Sequence, residues 1–128
     1  PLPAYATAAA SGLDLRAAAD AAIAPGSVVR IPTGIALEIP EGYEGQVRPR
    51  SGMSLRGLPA ILGTIDSDYR GEVGVLLHNL RPWPMHVSRG DRIAQLVIVP
   101  VARVRVVEVD ELSETERGDA VFGSTGVA

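Results

Sequence analysis

Short apolar runs alternate with prolines and glycines along most of the chain. Runs of this length that are rich in Val, Ile and Leu and bounded by turn residues predict β-strands. The breaks at Pro32, Pro40-Glu41-Gly42 and Pro49 separate the first three of these runs. The predicted strands cover residues 28–31, 34–39, 45–48, 60–65 and 72–79.

The longest apolar run covers residues 93–101 and is interrupted only by Gln95 and Pro100. A continuous run of this kind predicts a strand that is buried on both faces. Arginine and valine then alternate over residues 103–106, which predicts an extended stretch with one face in water.

Two segments favour helix instead. Residues 17–24 are mostly alanine, which has the highest helix propensity, and Pro25-Gly26 ends the segment. Residues 51–58 favour a brief helical turn.

The composition fits one small domain. Apolar residues make up 46% of the 128 residues and aromatic residues only 4%, so the core must be built from Val, Leu, Ile and Ala. The 14 glycines and 10 prolines between short runs predict an all-β sandwich or barrel over residues 1–112. Residues 113–128 have too little apolar surface to pack alone, which predicts a flexible C-terminal arm.

Charge and missing motifs exclude several classes of protein. The net charge is -3 and no Lys/Arg patch is present, which argues against a nucleic-acid binder. No apolar run approaches the roughly 20 residues that cross a membrane, and no signal segment opens the sequence, so a soluble cytoplasmic protein is expected. There is no phosphate loop and no GxGxxG motif. Two histidines without cysteine exclude a zinc deaminase site.

Candidate chemistry is concentrated in five clusters where glycine stands beside Asp, Arg, Ser or Gln. Each cluster alone can be an ordinary turn, and Asp66 and Asp68 could simply hydrogen-bond their own backbone. Taken together they indicate a phosphate site. The clusters cover residues 11–16, 48–52, 63–72, 90–96 and 117–126.

The residue types explain that interpretation. Arg50, Ser51 and Gly52 offer a guanidinium fork, a hydroxyl and an unshielded N–H group, which are the donors that an oxyanion needs. A second set of donors, from the tail, comprises Arg117, Ser124 and Thr125.

The candidate carboxylates and the one phenylalanine add to this picture. Asp14 and Asp66 could serve a hard metal ion or act as a base. Phe122 is the only phenylalanine and lies in a segment that cannot form a core, so stacking on a planar ligand or docking on a neighbouring subunit explains it better.

In order and spacing, the five clusters resemble the five motifs of the trimeric dUTPases, and the resemblance covers residues 4–127. GTIDSDYRG at residues 63–71 and GDRIAQL at residues 90–96 are the most specific matches. The resemblance implies a jelly-roll-like β-fold and a homotrimer with three sites between subunits. It also implies hydrolysis of dUTP to dUMP and pyrophosphate, which limits uracil in DNA and supplies dUMP for thymidylate synthesis.

The same resemblance implies roles for individual residues. Asp66 would deprotonate the water that attacks the α-phosphorus, and Tyr69 would lie under the deoxyribose and exclude a 2′-hydroxyl. Asp14 would help to retain Mg²⁺ through coordinated water, and Phe122 would cover the uracil. The other implied contacts to the substrate are Arg50, Ser51, Gly52 and Gln95 at the phosphates, Thr64 and Ile65 beside Asp66, and Arg117, Ser124 and Thr125 at the γ-phosphate, where the arm closes over a neighbour's pocket.

Two departures from the family pattern stand out. Ala120 and Val121 occupy positions before the tail aromatic where the family usually has glycine. The stretch from Gly52 to Asp66 is shorter than the family's, and Ala60 stands where the hairpin that reads uracil has an asparagine.

Two alternatives remain open at this point. One is a degenerate dUTPase homologue that binds nucleotide or a partner protein without hydrolysis. The other is a dCTP deaminase, which shares the fold but lacks the tail motif and the Asp-Ser-Asp-Tyr-Arg-Gly sequence.

Overall fold

A computed structural model describes residues 2–121. Within them the chain forms eight strands and one short helix, so it is nearly all β, as predicted. The elements are β1 (Leu13–Arg16), β2 (Ala21–Ile23), β3 (Val28–Ala36), β4 (Tyr43–Arg48), α1 (Ser51–Leu55), β5 (Gly63–Ile65), β6 (Glu72–His78), β7 (Met85–Val87) and β8 (Arg92–Pro100).

Four strands form the largest sheet, in the order β1-β8-β4-β5, and every neighbouring pair is antiparallel. The remaining strands form two antiparallel pairs, β2 with β7 and β3 with β6. The sheets are open over residues 2–121 and no closed barrel forms. The prediction of a jelly-roll-like all-β fold is confirmed.

The core between these layers is aliphatic, because the chain has few aromatic residues to bury. Met53 on α1 is the one buried side chain of the cluster outside the Val, Leu, Ile and Ala set. The polar exception is Asn79, which is completely buried. Its Nδ2 donates to the carbonyls of Ile23 and Trp83, and its Oδ1 accepts from the N–H of Arg81, so the burial costs no unpaired group.

β8 is buried over most of its length, as the apolar run predicted, but its far end is exposed. Ile93, Ala94, Leu96 and Val97 are buried, since this strand is central and pairs with β1 and β4. Ile98 is 37% exposed, so the far end of the strand lacks a cover within one chain.

The predicted helix over residues 17–24 is wrong. Residues 21–23 form β2 and pair with β7, and Ile23 is completely buried in the core. Long-range pairing therefore overrides alanine's helix propensity. The predicted helical turn is confirmed as α1, although it ends at Leu55.

Three of the predicted strands differ clearly in extent from those of the structure. Residues 28–31 and 34–39 join into β3, which passes through Pro32 because the pairing with β6 shifts register after that proline. The predicted strand over residues 60–65 is reduced to β5, and Ala60 instead makes an isolated bridge to Leu77.

Beyond β8 the chain is extended and makes little contact with its own domain. The N–H of Val101 donates to the carbonyl of Gly42, and no further backbone hydrogen bond to another element follows in the part up to residue 121. Val104 and Val106 on one face are 82% and 89% exposed, and Arg103 and Arg105 on the other are exposed as well, so both faces of the alternating stretch are open in a single chain. The arm boundary at residue 113 stays a prediction.

None of the helices in residues 2–121 is long and apolar enough to cross a membrane.

Candidate active site

The first group of predicted residues lies across three neighbouring strands. Asp14 on β1 pairs with Gln95 on β8, which pairs in turn with Arg48 on β4. Arg50 follows β4 and turns back, so that its Nε lies 3.5 Å from Asp14 Oδ1. Residues that are far apart in sequence are thus brought together by the register of the sheet.

Two arginines share the carboxylate of Asp14. Arg92 Nη1 lies 3.5 Å from Asp14 Oδ2, and Arg50 Nη1 donates to the Arg92 carbonyl at 3.3 Å. The Asp14 side chain is only 15% exposed, whereas the two guanidinium groups remain 30% and 46% exposed. Two partly open cations beside one carboxylate form a site with net positive charge, which suits a phosphate.

The turn after β4 completes this group. Gln95 Nε2 donates to the Pro49 carbonyl at 3.0 Å, which ties the start of the turn to β8. Ser51 and Gly52 then begin α1 and are both exposed. A side chain at Gly52 would meet nothing within 4 Å, so the space beside this residue is open. The N–H groups of a first helical turn have no partner inside the helix.

A second group surrounds the turn after β5. Ile65 is buried, while Thr64 beside it and Asp66 after it are exposed. The N–H of Tyr69 donates to the Asp66 carbonyl at 3.1 Å and closes the turn. Asp66, Asp68 and Arg70 line an open cavity of about 620 Å³ together with residues of β4 and Arg103.

Tyr69 folds back over its own turn. Its Oη donates to the Glu72 carbonyl at 2.9 Å, and the ring lies against Gly71, where any side chain would collide with the phenol. Tyr69 is still 44% exposed, so part of this side chain stays accessible to a ligand.

The two groups lie at opposite corners of the sheet. Asp14 is level with Arg48 of β4, whereas Ile65, the residue before Asp66, is level with Gly45. From strand rise and spacing, Asp14 and Asp66 are about 20 Å apart at their Cα atoms. A single chain therefore does not bring Asp66 to the Asp14 group.

The predicted tail residues do not reach either group within the described part of the chain. Arg117 is exposed, and its Nε donates to the nearby Ala120 carbonyl at 2.9 Å. Phe122, Ser124 and Thr125 lie outside the described residues, so their predicted roles are untested.

The shortened segment before Asp66 lies flat along β6. Backbone bonds join His78 to Pro59, Ile61 to Leu76 and Leu80 to Gly57. Only Leu62 separates this segment from β5, so no hairpin projects here in residues 2–121. Ile61 and Leu62 are 40% and 63% exposed at the point where the chain turns away.

Sequence reasoning missed three residues that the structure places in contact with the predicted ones. Arg92 was visible within the fourth cluster but was not singled out as a partner of Asp14. Gly12 and Gly71 lie against Gln95 and Tyr69 respectively. The only available signal was that each stands inside a glycine cluster.

Comparison with known proteins confirms the resemblance. A family model described as dUTPase matches residues 1–126. The deoxyuridine 5'-triphosphate nucleotidohydrolase of Rhizobium johnstonii is 56% identical over 133 aligned positions, which cover 98% of this chain and 85% of that protein. Those 133 positions exceed the chain's 128 residues, so the Rhizobium protein carries residues that this chain lacks.

Solved structures agree. A mutant of the Staphylococcus bacteriophage 80alpha dUTPase with dUpNHpp matches 99% of this chain and 92% of its own, with a TM-score of 0.94 and 30% identity. A mutant dUTPase of the S. aureus phage phi11, which shows the coordination of a structural Mg(II) ion, matches 87% of this chain and 90% of its own at a TM-score of 0.82 and 28% identity. The chain belongs to the dUTPase family.

Proposed function

We propose that the chain hydrolyses dUTP to dUMP and pyrophosphate by attack of water on the α-phosphorus, with Asp66 as the base. As a member of the dUTPase family, the chain is a dUTP diphosphatase. The roles of its individual residues in the reaction are what we propose. The observation that carries the proposal is the position of Asp66. This carboxylate is exposed on an open cavity, in the same turn that presents the ring of Tyr69.

The reaction requires the protein to position the water and the substrate and to stabilise charge. The Asp66 carboxylate accepts a hydrogen bond from water and takes its proton as the oxygen attacks the α-phosphorus. The bond from that phosphorus to the bridging oxygen breaks, and pyrophosphate leaves. Tyr69 would lie under the deoxyribose, where its ring leaves no room for a 2′-hydroxyl, while Thr64 and Ile65 border the base.

The Asp14 group supplies the phosphate site. Arg50, Ser51, Gly52 and Gln95 would hold the triphosphate, and Arg92 adds a second partly open guanidinium beside it. Arg117, Ser124 and Thr125 would clasp the γ-phosphate from the arm, and Phe122 would cover the base. The exposure of residues 113–121 leaves the arm free to reach such a position.

The residues fit Mg²⁺ that enters with the substrate. No three metal-ligating side chains cluster within residues 2–121. Asp14 is the one carboxylate among the described residues that are proposed to bind phosphate. Mg²⁺ is commonly held by one or two carboxylates, waters and substrate phosphates, so Asp14 would retain it through coordinated water. The ion would neutralise phosphate charge during the displacement.

A complete site needs more than one copy of the chain. Because Asp66 and Asp14 are about 20 Å apart in one copy, a neighbour must supply one of the two groups. A homotrimer with sites between subunits satisfies this need. Exposed apolar residues at and just after the end of β8, including Ile98 and Val101, support an interface there.

One assay tests the reaction and the position of attack together. The chain is incubated with dUTP and Mg²⁺ in ¹⁸O-labelled water, and both products are analysed by mass spectrometry. Attack on the α-phosphorus places the label in dUMP, and attack on the β-phosphorus places it in pyrophosphate. Tight dUTP binding without turnover would instead indicate a binding-only homologue, and ammonia release from dCTP would indicate a deaminase.

A further inference from the structure

Gly12 has no side chain at the one place where the carboxamide of Gln95 lies. A Cβ built on Gly12 would stand 2.7 Å from Gln95 Oε1, 3.0 Å from its Cβ and 3.3 Å from its Cδ. These contacts run along the whole Gln95 side chain, so a small movement of the amide alone would not relieve them. Gly12 is itself buried, which leaves a new methyl group no route to solvent.

The backbone at Gly12 does not explain why glycine is needed. Gly12 is absent from the glycines with positive φ, so an alanine could adopt its conformation. The obstacle is the Gln95 side chain alone. The backbone of Gln95 cannot easily move away, because it lies on the central strand β8 and pairs with Asp14 on one side and Arg48 on the other.

The orientation of Gln95 matters because of what it holds. Its Nε2 donates to the Pro49 carbonyl at 3.0 Å. Pro49 is the residue before Arg50, Ser51 and Gly52, which carry the phosphate donors. Arg50 in turn contacts Asp14 and the Arg92 carbonyl. The Gln95 amide therefore anchors the start of a turn that positions the residues proposed to bind phosphate.

We propose that Gly12 is a positioning residue for the phosphate site. Its bare backbone lets the Gln95 carboxamide lie across the start of β1 and reach the Pro49 carbonyl, which sets the turn that presents Arg50, Ser51 and Gly52. The inference rests on the proposed role of that turn in binding the triphosphate. It assigns no contact between Gly12 and the substrate.

The kinetic test is a double-mutant cycle between Gly12→Ala and Gln95→Ala. Gly12→Ala alone should raise KM for dUTP about tenfold and change kcat by less than about threefold, because the donors bind ground state and transition state alike. In the Gln95→Ala background the same change should alter KM less than about twofold, since an alanine at position 95 leaves room for the methyl group.

A matched control separates positioning from simple loss of stability. Gly26 has a φ of +71° and nothing within 4 Å of a built Cβ, so Gly26→Ala strains the backbone between β2 and β3, outside the sheet that holds Gln95. It should lower the melting temperature and leave KM unchanged. Equal effects of Gly12→Ala in both backgrounds, or a KM rise for Gly26→Ala, would overturn the proposal.

A second readout needs no catalysis and so stands apart from the proposed function. The chain has only three side-chain carboxamides, those of Gln46, Asn79 and Gln95, so its ¹⁵N spectrum shows three NH₂ pairs. Gln95→Glu identifies one pair directly. Gly12→Ala should shift the Gln95 pair and raise its hydrogen-exchange rate, while the buried Asn79 pair stays in place as an internal reference. An unshifted Gln95 pair would refute the inference even if dUTP turnover proved normal.

Discussion

Two carboxylates stand in the turn after β5, and only one is assigned to the chemistry. Asp66 and Asp68 are both exposed and both border the same cavity. Asp66 directly follows the buried Ile65, the last residue of β5, and its carbonyl closes the turn by accepting from Tyr69. Asp66 therefore has the more closely fixed backbone of the two, which suits a base that must hold water in one place.

Exchange of each carboxylate for its amide tests this assignment. Asp66→Asn keeps size and hydrogen bonding but removes the base, so kcat should fall by at least about 10²-fold. Binding of a non-hydrolysable dUTP analogue should change only a few-fold. Asp68→Asn is the matched control and should retain most of the activity. Turnover like wild type in Asp66→Asn would exclude this residue as the base.

Residue types in the five clusters were enough to single out residues that the sheet brings together. Asp14, Arg50 and Gln95 are indeed neighbours, because chemistry-bearing types recur beside glycines and the sheet register joins them. Gly12 was not predictable in this way. Its role depends on a side chain that reaches it from β8, and nothing in the local sequence specifies that contact.

At the scale of elements, prediction worked where an apolar run decided the outcome and failed where pairing did. β8 followed from its continuous apolar residues. β2 did not, because Ala21 and Ala22 favour helix and become a strand only by pairing with Val87 and His86 on β7. The flat course of residues 57–61 along β6 was likewise invisible, since it depends on backbone bonds to a partner strand.

That flat course bears on recognition of the base. β5 is an edge strand of its sheet, so half of its backbone groups stay free for a ligand even without a projecting hairpin. We expect uracil to be preferred, because an exocyclic amine in place of its carbonyl would leave buried polar groups unpaired. The expected kcat/KM for dUTP is at least about 10²-fold above that for dCTP at equal Mg²⁺. Similar values for the two substrates would mean that the pocket does not read the base.

The C-terminal arm makes a separate prediction. Residues 113–121 are exposed, and their hydrogen bonds are local, so this part of the arm contributes little to folding in a free chain. A chain that ends at Glu116 should lose most of its dUTP turnover. Its melting temperature should stay within a few degrees of that of the full chain, because the free energy of unfolding changes little. A large fall in melting temperature would show that the arm is part of the folded domain.

At the scale of the whole molecule, the fold separates the two halves of the proposed site. The residues around Asp14 that would bind phosphate and the turn that carries Asp66 occupy opposite corners of one sheet. No side chain is long enough to span the distance between them. The chain also leaves Val104, Val106 and the end of β8 exposed. Both observations have the same explanation if neighbouring copies cover these surfaces and share their sites. Light scattering should then give three times the chain mass of 13.4 kDa.

Mixing two inactive variants provides a sharper test than mass. Asp66→Asn lacks the base and Arg50→Ala lacks a phosphate donor, so each homotrimer alone should be nearly inactive when dUTP is kept well below the wild-type KM. In trimers refolded from an equal mixture, a site is intact when one copy supplies a native Asp66 and its neighbour a native Arg50. Random assembly makes about a quarter of the sites intact, so about a quarter of wild-type activity should return. If each site belonged to one chain, no combination of the two variants would restore any activity, and the mixture would stay as inactive as its parents.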